Sequence, residues 1–225
     1  MELSDRTLQV LKNYASINPN IVFETGNVLK TLSAAKNVMS SSVITEEFPR
    51  GFGIYDLNEF LGVVGLVDRP QLQFKDSHVL VSDSIGLARI KYFYSDPDML
   101  TAPSKEIVMP ECEVKFTLDT DTLGRIRRAA STLGHNELSI TPDNGSIRLA
   151  VVDSADKTSN AFSIDVEGEY EEGTQFSLVL NVNNLKVINE DFDVGISSKL
   201  ISNFKSKQSE IQYFIALEKT STFGA

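Results

Sequence analysis

The chain has 225 residues, with 31 acidic against 21 basic side chains and a formal charge of −10. At 41% hydrophobic and 23% charged it reads as a soluble globular chain that can bury a core as one large domain or two small ones. Its acidity excludes a protein that coats nucleic acid with its whole surface, because phosphate would be repelled over most of it.

The first element is an amphipathic helix, "LSDRTLQVLKNYASIN" (3–18), with Ser4 as N-cap and Leu3, Thr7, Val10, Leu11 and Tyr14 on one stripe. Arg6, Gln9, Lys12 and Asn13 fall on the opposite face. Short β-like runs follow at 21–24, 28–32 and 40–48, with "TGN" predicting a hairpin between the first two. Residues 51–68 read as a strand running into a helix capped by Asp56, with Leu57, Phe60, Leu61 and Val64 on its apolar stripe. Strands come next at 71–75, 78–82 and 87–94.

"SDPDMLTAPSKEIVMPE" (95–111) holds three prolines and no periodicity, which marks an extended connector. After it the order starts again. A strand at 114–118 leads into a helix, "DTDTLGRIRRAASTLG" (119–134), capped by Asp119 and closed by Gly134. A hairpin turns at "DNG" within 137–153, a strand covers 160–168, and 175–189 reads as a strand leading into a short helix. Strands near 192–198, 199–206 and 211–218 finish the chain. "IYDLNEFL" (54–61) and "VLNVNNLK" (179–186) share one joint: strand, Asp/Asn, apolar, Asn, any residue, apolar. A helix with its strands thus recurs about every 50 to 60 residues, and such a unit cannot bury a helix and a sheet face alone. Pairing the units predicts an α+β protein of two similar domains, each an antiparallel sheet with two helices on one face: residues 1–95, a connector over 96–111, and residues 112–225.

With Leu123 at 0° on a helical wheel, Thr122, Ile126, Ala129, Ala130 and Leu133 form the core arc. Arg125, Arg128 and Arg127 fan out at about 200°, 140° and 40°. A basic helix face is ordinarily solvated, and Asp121–Arg125 has the spacing of an i,i+4 ion pair. Yet the basic faces recur at equivalent places in the two halves of an acidic chain. Helices lying on one side of a sheet would make that side positive, which suits contact with a DNA backbone without sequence reading.

These segments carry a resemblance. "VLKNYASIN" (10–18), "IYDLNEFLGVVGLV" (54–67), "SDPDMLTAP" (95–103) and "YFIALE" (213–218) resemble the sliding clamps, the DNA polymerase processivity factors, of T-even-type bacteriophages. "TLGRIRRAASTLG" matches in pattern more than in letters. Residues 153–175 and those after Glu218 match poorly, and nothing is carried over there. The resemblance implies a homotrimeric ring around duplex DNA, with helices inside and sheets outside, opened and closed by an ATP-driven clamp loader. It implies a tethered replicative DNA polymerase and support of late transcription through RNA polymerase-associated factors. The residues expected to face DNA are Arg6, Lys12, Arg125, Arg127, Arg128 and Lys186. A pocket for partner peptides is expected on the second domain, at Val108, Met109, Pro110, Ile215 and Leu217.

No catalytic set accompanies these features, so no enzyme activity, cofactor or metal is expected. Cys112 with His78 or His135 has no nucleophile spacing. The single cysteine excludes an internal disulfide and a Cys-based zinc centre and fits a reducing compartment. "DTDT" (119–122) and "SDPD" (95–98) are better explained as caps and turns than as metal loops. There is no phosphate-binding glycine motif. "MELSDRTLQV" has no signal-peptide character and no apolar run is long enough to span a bilayer, so the expected location is cytoplasmic, away from membranes. Two other readings are a single-stranded nucleic-acid binding protein and a structural virion subunit. The first needs exposed aromatics for stacking, whereas Phe23, Phe48, Phe74, Tyr92 and Phe116 fall in strand patterns that read as core.

Overall fold

A computed structural model describes residues 1–105, 107–156 and 158–224. The chain divides into two compact units, Met1–Glu106 and Ile107–Ala225. Position 106, within the expected connector, lies outside the described residues.

The first unit runs α1 (Asp5–Ile17), β1 (Ile21–Phe23), β2 (Gly26–Leu32), β3 (Val38–Phe48), β4 (Phe52–Ile54), α2 (Leu57–Gly65), β5 (Gln71–Phe74), β6 (His78–Ser82), β7 (Arg89–Phe93) and a 3₁₀ turn at Pro97–Met99. β2 pairs antiparallel with β3, β1 with β4, and β5, β6 and β7 form an antiparallel sheet in that order. The hairpin expected at "TGN" is absent: β1 and β2 are consecutive in sequence but pair with different partners. The reason is tertiary. Phe23 sits opposite Phe52 in register and stacks on it at 4.5 Å, within a cluster that includes Phe48 and Phe74. Aromatic burial of this size outweighs a local turn preference.

The second unit runs β8 (Val114–Leu118), α3 (Thr120–Leu133), β9 (Glu137–Asp143), β10 (Ser146–Val152), β11 (Phe162–Val166), β12 (Gly168–Glu169), β13 (Phe176–Asn181), a 3₁₀ turn at Val182–Asn184, β14 (Phe192–Ser197), β15 (Ile201–Ser206), β16 (Ile211–Ala216) and β17 (Thr222–Phe223). One sheet has the order β11-β10-β9-β13-β17. In the other, β12, β8, β14, β15 and β16 are successive antiparallel neighbours. Period-two burial is plain in β8, where Val114, Phe116 and Leu118 are buried and Lys115 and Thr117 exposed.

Three elements differ from the sequence reading. The run 160–168 is two strands, since β11 pairs with β10 while β12 crosses to pair with β8. β17 closes the β13 edge beyond the last predicted strand. The second helix expected in this unit is only the single turn Val182–Asn184. Asn181 caps that turn by accepting from Asn183 N, as Asp56 caps α2 by accepting from Asn58 N. The repeated joint is therefore real, but the two segments beyond it are not equivalent. α2 continues with helical spacing of Leu57, Phe60 and Val64, whereas Leu185, Val187 and Ile188 are all buried within four positions. No single helix face accommodates that run, so it lies as irregular chain on the core.

Candidate nucleic-acid interface

α1 is positioned at its N-terminal end and along one face. The Ser4 hydroxyl accepts from Thr7 N, and the Glu46 carboxylate on β3 accepts from Ser4 N and from Thr7 Oγ1. Burial pushes Glu46 toward the neutral acid, but the donors on Thr7 and Ser4 outweigh it and hold the carboxyl below its ordinary 4.5. Thr7, Val10, Leu11, Tyr14 and Ile17 are buried, which leaves Lys12 exposed and Arg6 half-exposed. Arg6 Nη1 donates to Gln9 Oε1 at 3.0 Å along the same face.

α2 carries no basic residue. Its N-cap Asp56 accepts from Asn58 N and Glu59 N, and Glu59 accepts from Tyr92 OH at 2.9 Å. Positive charge on the helices of the first unit therefore comes from α1.

α3 is capped by Asp119, which accepts from Thr122 N at 2.7 Å, while Asp191 accepts from Thr120 N. Gly134, at φ 72°, ends it in the left-handed conformation that glycine adopts without a β-carbon clash. Thr122, Leu123, Ile126 and Ala130 are buried, which turns Arg125 and Arg128 to solvent. Arg125 is oriented by an aromatic ring rather than by the i,i+4 spacing to Asp121. Its guanidinium carbon lies 5.7 Å from the Phe162 ring centroid, a cation–π contact.

Arg127 is placed differently from the expectation. It is half-buried, and its Nη2 donates to Leu185 O and Val187 O, each at 2.7 Å. Burial lowers the pKa of its guanidinium, with the nearby Tyr213 opposing that shift. At about 40° from Leu123 on the wheel, Arg127 borders the core arc. That angle was the available signal that it is not an outward residue like Arg125 and Arg128. Lys186, between the two accepting carbonyls, is exposed.

The five positions expected to form a peptide pocket do not share one environment. Ile215 and Leu217 are core residues at 0% and 6% exposure, because they lie on the inward register of the strand that pairs with β15 and just beyond its end. Val108 is 89% exposed, and Met109 and Pro110 are intermediate. Of the aromatics read as core, Phe23, Phe48 and Phe116 are buried, and Phe74 and Tyr92 are partly so; the sequence reading missed the exposed aromatics Tyr55 and Phe93.

Other chemistry is accounted for locally. Burial raises the pKa of the Cys112 thiol, against a smaller opposing effect of Lys115, and so disfavours thiolate. His135 Nε2 lies 2.8 Å from Asn160 O. Asp96 and Asp119 are both caps. Among the described residues no group of three or more His, Cys, Asp or Glu could hold a metal, and no helix is long and apolar enough to cross a membrane.

Both units match known proteins. Residues 4–109 match the family model for the DNA polymerase processivity factor, and residues 115–219 match that for the gp45 sliding clamp, C terminal. The chain is 29% identical over 223 residues to the sliding clamp of Vibrio phage KVP40, covering 97% of this chain and 99% of that protein. It is 29% identical over 231 residues to the sliding clamp of Enterobacteria phage T4, covering 99% of each. The fold is similar to that of A. fulgidus PCNA, solved with the C-terminal region of FEN-1 bound, with a TM-score of 0.70 at 15% identity over 98% of each chain. It is also similar to proliferating cellular nuclear antigen from Entamoeba histolytica, with a TM-score of 0.68 at 15% identity over 94% of each.

Proposed function

This chain belongs to the phage sliding clamp family and is a DNA polymerase processivity factor; from that premise we propose that three copies close into a ring around duplex DNA, with α1 and α3 toward the duplex. The observation that carries this reading is the display of Lys12, Arg125 and Arg128 on solvent-facing helix surfaces of a chain with a net charge of −10. Enclosure retains the protein, so the contacts to phosphate can be few and weak, and few contacts let the ring slide. Each phosphate contact contributes about −0.9 to the slope of log K against log salt. The acidic remainder disfavours binding of DNA to other surfaces.

Closure of the ring needs strand edges that meet between copies. β7 and β11 each end a sheet with one side unpaired among the described residues. β7 presents Arg89 and Lys91 on its exposed positions, and Asp165 and Glu167 are exposed along and just after β11. Phe93 on β7, 64% exposed, and Leu87 just before it, 83% exposed, add apolar surface. These features support pairing of β7 in one copy with β11 in the next. A closed ring must be opened by another protein, so an ATP-dependent clamp loader acts on it. The polymerase and, for late transcription, RNA polymerase-associated factors engage at Val108, Met109 and Pro110.

The decisive experiment compares retention on circular and linear duplex DNA after loading. The expected result is salt-resistant retention on closed circles and rapid loss from linear DNA. The double variant Arg125→Glu/Arg128→Glu should remain trimeric by sedimentation yet lose processive primer extension. Equal retention on both DNA forms, or undiminished extension by a trimeric double variant, would overturn the reading.

A further inference from the structure

The segment after β13 poses a problem of backbone satisfaction. Leu185, Val187 and Ile188 are buried, yet the chain there is neither helix nor strand. Buried carbonyls and amides outside regular structure need other partners. Two side chains supply them. Arg127 Nη2 donates to Leu185 O and Val187 O, and Tyr213 OH accepts from Ile188 N at 3.1 Å. Tyr213 is itself fully buried, so its hydroxyl is a fixed acceptor.

This bracing has a geometric consequence. The side chains of Leu185 and Val187 enter the core, and the carbonyls of both meet the same guanidinium nitrogen. Residue 186 lies between them and has no inward position left, so Lys186 is held on the exposed side. A cleft of about 320 Å³ lined by Arg127, Ser131 and Asn183 shows that α3 and the turn before Lys186 share one surface. The missing second helix is thus replaced by a segment braced at Leu185 O and Val187 O by an arginine of α3, with Lys186 exposed between the two braced positions.

We propose that Arg127 is a positioning residue: it acts on duplex DNA through Lys186, whose direction it fixes, and does not itself touch phosphate. This rests on the reading that the α3 surface faces DNA. It separates three arginines within four positions into two outward residues, Arg125 and Arg128, and one brace.

The test is a double-mutant cycle on the full-length protein, read as the salt dependence of binding to a short duplex. Lys186→Gln should lower the magnitude of the negative slope of log K against log salt by about 0.9. Arg127→Gln should lower it in the parent protein and cause no further change in the Lys186→Gln background. Hydrogen exchange should quicken at Val187 and Ile188 in Arg127→Gln. If Arg127→Gln does not fold, Arg127→Lys, which retains the charge but not the planar fork, is read instead: loss of the brace makes the slope shallower only while Lys186 is present, whereas a direct phosphate contact leaves it unchanged and overturns the proposal. Additive losses would mean that Arg127 contacts phosphate directly and would overturn the proposal, as would an unchanged slope for folded Arg127→Gln. Arg125→Gln and Arg128→Gln serve as controls. If they make the slope shallower while the cycle is additive, only this inference fails. If they and Lys186→Gln all leave it unchanged, the DNA-facing reading fails and the inference with it.

Discussion

Glu46 shows how one side chain can place a helix. It satisfies the Ser4 amide and the Thr7 hydroxyl at the start of α1, so a carboxylate from β3 acts as a tertiary cap. Its folded pKa is depressed, so its contribution is present above its ordinary value of 4.5 and is lost as pH falls through the lower folded value. Glu46→Gln should therefore destabilise the protein by about 1 kcal/mol at neutral pH, a hydrogen-bond figure already reduced for partial solvent screening. The difference between variant and parent should shrink toward zero at low pH. Denaturant melts at pH 7 and at pH 3 check both statements, and equal melting midpoints at pH 7 would contradict the capping role.

Among the elements, the crossing from β11 to β12 is tightly constrained. Gly168 begins β12, and a β-carbon there would lie 2.6 Å from Lys115 O and against Ile147 Cδ1. The backbone carbonyl cannot yield as a side-chain tip can, so only glycine permits this approach to β8. Gly168→Ala should cost about 1–3 kcal/mol and loosen the pairing of Gly168 with Phe116. Thermal denaturation with hydrogen exchange at Lys115–Thr117 reads both effects. α3 offers a milder case: Asp119→Ala removes the acceptor for Thr122 N and should cost about 1 kcal/mol. A loss of that size in a denaturant titration, without change of slope, is the expected outcome.

At the scale of the whole molecule the proposed ring makes a charge-based prediction. Arg89→Glu/Lys91→Glu on β7 should shift the trimer toward monomer in sedimentation at moderate protein concentration. Adding Glu167→Lys to that variant should recover part of the assembly. Reversal of β7 without change in mass would remove β7 from the interface. The two domains, the three α-helices among the described residues with their caps, and most strands were determined by the sequence alone, because helical spacing, capping residues and strand alternation are local signals. So was the outward direction of Arg125 and Arg128, which follows from the apolar arc of one helix. Tertiary structure decided what depends on distant partners: β1 pairs with β4 because Phe23 meets Phe52, Ile215 and Leu217 vanish into the core, and the expected fourth helix stops after one turn. Arg127 belongs with these, since its role comes from two carbonyls 58 and 60 residues away, and no pattern within its own helix could name them.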